Sequence, residues 1–177
     1  MGGYARHAVR DAAIVAAALA LWSVDAGLRG APGAGPTLAA LAAGALTALA
    51  GYLGHEWGHL LGGRLGGAVL HPPARLTDTF LFRFDADRNG RAQFAAMSLG
   101  GFAASATIVT ALAAWLPLHA LSGRVALGLT AAGVLATLVL EVPPFVRVLR
   151  GAPVPRGAAY VSRAAVGTAR GERAGAA

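Results

Sequence analysis

The chain contains no cysteine and no lysine, and only 13% of its 177 residues are charged. Without cysteine, disulfides, thiolate metal sites and cysteine nucleophiles are excluded. A soluble domain carries charge on about a quarter of its residues, so this chain is too poor in charge for that class. It is also too apolar for intrinsic disorder, which needs low hydrophobicity and high net charge. Acids are scarcer still. Eight acidic residues face 15 basic ones, all arginine, for a net charge of +7.

What is present is apolar: 56% of residues are hydrophobic and the mean hydropathy is +0.58. A basic balance suits nucleic acid or a membrane surface. The apolar excess selects the lipid bilayer as partner and excludes nucleic acid. Four stretches are long enough to span a bilayer, which takes about 20 residues. They cover about 12–28, 37–61, 94–118 and 125–149. The first has the basic start of a signal peptide, but Trp22-Ser-Val-Asp25 offers no small-x-small cleavage site, so it is read as a span. The expected fold class is therefore an all-α polytopic membrane protein. Residues 1–150 form a single membrane domain, and 151–177, rich in Ala, Gly and Arg, form a flexible tail.

With four spans, both termini and the central connection share one side. That side holds thirteen arginines, and the other only Arg29 and Arg124. The positive-inside rule then places both termini in the cytoplasm. The central connection differs from the short turns. Over Arg75–Phe84, Leu76, Phe80, Phe82 and Phe84 alternate with Thr77, Thr79, Leu81 and Arg83, the period of a strand. Asp85–Gly90 (DADRNG) has turn chemistry. The expectation is a small β-hairpin over 75–93, between the second and third spans. Asp85-x-Asp87-x-Asn89-Gly90 opens like a calcium loop, but the twelfth position from Asp85 is Ala96, so a turn is the reading.

The second span ends in GYLGHEWGHLLGGRLGG, which contains the HExxH pattern His55-Glu56-Trp57-Gly58-His59. On a helix, residues four apart share a face, so both imidazoles reach one metal ion. Glu56 adjoins the first histidine and can act as general base on a zinc-activated water. Ionisable side chains inside an apolar helix are costly and mark function. The metzincin pattern fails, because position 65 is Leu. Glu141 is the only acid of the fourth span. It lies about 24 Å along its helix from Val125, and His55 about 27 Å along its own from Thr37, so the two sit at similar depth. His71, Asp78 and Asp85 are the alternative ligands. His7 and His119 read as surface or interface residues, and Asp25 as a helix-end or pairing residue. Gly62, Gly63, Gly66, Gly67, Gly100 and Gly101 allow close helix contact.

GHEWGHLLGGRLGG resembles the active-site helix of the site-2 protease family of intramembrane zinc metalloproteases. Gly101-Phe-Ala-Ala-Ser105 is similar to that family's Gly-Pro-x-x-Asn pattern, with Phe102 for its Pro and Ser105 for its Asn. The family's Asp ligand has no counterpart; Leu140-Glu-Val-Pro-Pro-Phe-Val-Arg147 stands in its place. The resemblance covers about residues 37–150. It implies zinc on His55 and His59, for which Glu141, at matching depth, is the expected third ligand in place of the family's Asp; it also implies Glu56 as catalytic residue and a membrane protein or peptide as substrate. Phe82, Phe84, Gly101 and Ser105 are the candidate substrate-binding residues, with the hairpin offering an edge strand to an extended substrate. The alternatives are a non-proteolytic metal-binding relative acting as a membrane interaction or regulatory protein, a scaffold without metal, and a metal-dependent membrane enzyme of another type.

Overall fold

In a computed structural model of the chain, residues 2–78, 80–156 and 160–161 are described. Four helical stretches are long and apolar enough to cross a membrane: Gly3–Leu28, Gly35–Leu65, Arg91–Trp115 and Leu121–Leu149. The helices are α1 (Gly2–Leu28), α2 (Gly35–Leu65), α3 (Arg91–Trp115), α4 (Leu121–Leu140) and α5 (Val142–Leu149). Central α2 packs against α1, α3 and α4. Large apolar side chains point outward along the bundle, Trp115 83% and Leu140 69% exposed among them. In water that surface would be unfavourable, whereas lipid solvates it.

The expected fourth span is two helices. Pro143 and Pro144 open α5 and have no N–H to give to the carbonyls of Val139 and Leu140. The ladder therefore breaks at Glu141, which caps both helices. Between α2 and α3 lies the β structure, but not where the alternation put it. The antiparallel pair is β1 (Leu70–His71) with β2 (Arg83–Asp85). Only the end of the alternating run becomes strand: Phe82 and Phe84 are buried and Arg83 is exposed between them.

Upstream, backbone groups are engaged elsewhere. Asp78 accepts the N–H groups of Ala74 and Arg75, while His7 and Arg10 of α1 bond the carbonyls of Arg75 and Leu76. Nor does DADRNG turn into a return strand. Asp85 accepts the Asp87 and Arg88 amides, Asn89 bonds both backbone groups of Val69, and Gly90 leads into α3. His71 lies 3.0 Å from the second Asp85 oxygen and, chiefly through that bond, holds the carboxyl below its ordinary value. Gly67 ends the α2 turn at φ 72°, a conformation that only glycine adopts freely.

The compact core gathers where these elements meet. Leu60, Leu81, Phe82, Phe84, Phe94, Met97 and Val148 pack together, with Phe145 and Val154 against them. The segment after α5 is not a loose tail at its start. Val154 reaches this core, Arg156 lies 3.9 Å from Asp87, and β3 (Tyr160–Val161) pairs parallel with β2. Residues 157–159 and 162–177 of the expected tail lie outside the described residues.

Candidate metal centre

The α2–α3 seam is close because its residues are small. A Cβ at Gly62 would run into the Ala96 carbonyl and the Gly100 backbone, and one at Gly101 into the His59 ring. Gly58 and Gly66 are equally confined, and a Cβ at Gly63 would meet the Leu70 side chain. This close approach brings the α3 backbone within reach of both motif histidines. His55 Nδ1 lies 3.1 Å from the Gly101 carbonyl and 2.8 Å from Ser105 Oγ, and His59 Nδ1 lies 2.9 Å from the Met97 carbonyl. A carbonyl oxygen only accepts, so each Nδ1 carries the proton. The lone pair of a neutral imidazole is then at Nε2.

Those Nε2 atoms converge 3.0 Å apart. Glu141 reaches both from the α4–α5 break, with Oε1 3.3 Å from His55 Nε2 and Oε2 3.2 Å from His59 Nε2. His55, His59 and Glu141 thus form a group that could hold a metal ion, with ligand atoms all within 4.8 Å of one another. The chemistry of the donors fits a cation: two imidazole lone pairs and a carboxylate face one another, and acceptors alone repel. Ligand atoms sharing one tetrahedral zinc, at bond lengths of about 2.0–2.2 Å, are spaced about 3.3 Å apart. Glu141 thus meets both imidazoles from the junction between α4 and α5.

Glu56 is buried beside this group but is held differently. One of its oxygens accepts the Leu81 N–H at 3.2 Å. Glu56, His59 and Glu141 line a cleft of about 310 Å³ walled by Phe80, Phe82, Phe84 and Phe94. Phe82 and Phe84 therefore face the cleft. Gly101 and Ser105 stand behind the His55 imidazole, with their oxygens engaged by it. The alternative ligands stay apart: His71 and Asp85 bond each other, and Asp78 closes its own turn.

Asp11 was not legible as a site residue, since the apolar run begins after it. The structure buries its carboxylate against the motif itself, where the Trp57 indole donates to Asp11 Oδ2 at 2.8 Å, while Arg10 holds Oδ1 at 2.6 Å. An isolated acid in the first helix, with an indole in the motif, was the only signal. Asp25 is a pairing residue, bonded by Arg29 and Ser122. His7 sits buried between α1 and the loop, so of its two expected placements it takes the interface.

No known protein family, no curated protein and no solved structure matches the chain. A functional reading therefore stands on the residues and their geometry.

Proposed function

We propose that this protein is an intramembrane zinc metalloprotease of the site-2 protease type, with both termini cytoplasmic. The observation that carries the reading is the convergence of the two HExxH imidazoles with Glu141, beside the buried carboxylate of Glu56. His55, His59 and Glu141 would hold zinc, and three protein ligands leave one position open, the arrangement of catalytic rather than structural sites. Zinc in such a site polarises a carbonyl and brings the pKa of a bound water toward neutrality.

The protein's own groups supply the rest. The Gly101 and Met97 carbonyls fix the tautomer and rotation of both imidazoles, an arrangement that raises ligand basicity. Glu56 is the general base, taking a proton from the attacking water and delivering it to the leaving amine. The aromatic walls give an unwound apolar segment a surface to lie on. A membrane substrate arrives as a helix with its amides internally bonded, so it must extend before its carbonyl can be attacked.

Glu56→Gln tests the reading in reconstituted vesicles with a single-span reporter. Zinc binding should persist, while cleavage falls by about 10²–10⁴-fold, the usual contribution of a general base. Retained cleavage removes Glu56 from that role. The second reading is a metal-binding regulatory relative, favoured by the bond that the chain's own Leu81 makes to Glu56. It predicts stoichiometric zinc and no cleavage by the wild type.

A further inference from the structure

In the described sheet the strand order is β1-β2-β3, so both sides of β2 are filled. β1 pairs through Leu70↔Phe84 and His71↔Arg83, and β3 through Phe84↔Tyr160 and Asp85↔Val161. β2 continues directly from Phe82, whose ring walls the cleft with Phe84, and from Leu81, whose amide sits on Glu56. The β3 side of β2, in the strand that runs on from the cleft wall, is thus occupied by a later segment of the same chain.

That segment is led there by several contacts. After α5, Gly151 turns the chain at φ 107°. Val154 packs on the core and Arg156 approaches Asp87. The residues 152–156 run along a groove of about 710 Å³ shared with Asn89 and Arg147. Pro153 and Pro155 keep this stretch from becoming helical. Pairing at Tyr160–Val161 is through backbone, and backbone pairing accepts any extended segment.

We propose that the β3 side of β2 is a docking edge for an extended peptide, and that the segment seen at residues 152–156 and 160–161 occupies it as an intramolecular competitor of substrate. This rests on the protease reading above. A segment tethered by a short linker acts at an effective concentration of about millimolar, so a free peptide of micromolar affinity is strongly suppressed while the segment is seated. Cleavage then requires that the segment leave.

The test uses the full chain in lipid nanodiscs, the chain ending at Arg156, and full-length Val161→Pro, which removes a strand amide without shortening the protein. The probe is a fluorescent synthetic peptide with the sequence of residues 152–166. The shortened chain should bind it at least about tenfold more tightly than the full chain does. Val161→Pro should be intermediate. Amide exchange at Arg83–Asp85 should speed up on truncation and slow again with the peptide, and reporter cleavage should rise on truncation and fall with the peptide. Equal peptide binding and equal exchange in the full and shortened chains overturn the docking edge. Zinc-dependent cleavage that truncation leaves unchanged overturns the competition. If binding and exchange behave as expected but no zinc-loaded form cleaves, the protease reading fails and the docking edge stands.

Discussion

The two sides of the motif helix are held by different means. Toward α3, His55 and His59 bond helical backbone across a seam of glycines, where nothing moves without moving a whole helix. Toward α1 and the loop, Glu56 takes the amide of Leu81 in an irregular segment, and Trp57 packs on the core and gives its indole N–H to Asp11. The two histidine ligands are thus held by helical backbone, and the proposed base by one amide of an irregular segment. That division suits a site that must keep its metal while admitting a polypeptide.

The contrast can be broken from the rigid side first. Gly62→Val puts a branched side chain against the Ala96 carbonyl and the Gly100 backbone, neither of which can yield locally. A destabilisation of about 1–3 kcal/mol, the usual range for overpacking, should appear in detergent or urea unfolding, together with loss of metal binding. Wild-type stability in this variant would mean that the seam is looser than its contacts state. Ser105→Ala is milder. It leaves the Gly101 carbonyl on His55 Nδ1 and removes the hydroxyl, so zinc affinity should fall by about tenfold, the low end for a partner of a metal-bound imidazole. A competition titration with a chromophoric chelator measures it.

Asp11→Asn probes the softer side, with the smallest effect. The amide still offers the Trp57 indole an acceptor but gives up the ion pair with Arg10, which also holds the Leu76 carbonyl. Zinc affinity should be unchanged and stability should fall by about 1 kcal/mol. Amide exchange in residues 75–82 should quicken, as read by mass spectrometry. A loss of zinc affinity as large as that of Ser105→Ala would erase the distinction between the two sides.

How much of this was readable beforehand follows from the range over which each feature is determined. The spans and the HExxH spacing are local, and they were plain in the sequence. The meeting of Glu141 with the histidines was reachable by counting rise along two helices. That count assumed one unbroken fourth helix. The break was written in Pro143-Pro144, and Glu141 at that junction still reaches both imidazoles. The strands were misplaced because alternation over 76–84 is a weak signal, easily overridden. Turn closure by Asp78 and capture of two loop carbonyls by α1 are long-range events that no local period records. The same holds for Asp11, whose value depends on how α1 crosses α2, and for β3, two residues long and pairing with a strand 76 positions earlier.

The central claim is that His55, His59 and Glu141 hold one catalytic metal. X-ray absorption spectroscopy with metal analysis on purified, zinc-loaded protein tests it most directly, beside His55→Ala and His59→Ala. The account predicts one zinc per chain, bound by two imidazole nitrogens with the remaining ligands oxygen, and loss of that zinc in each variant. Absence of stoichiometric zinc in the wild type, or an unchanged zinc environment in either variant, would contradict it.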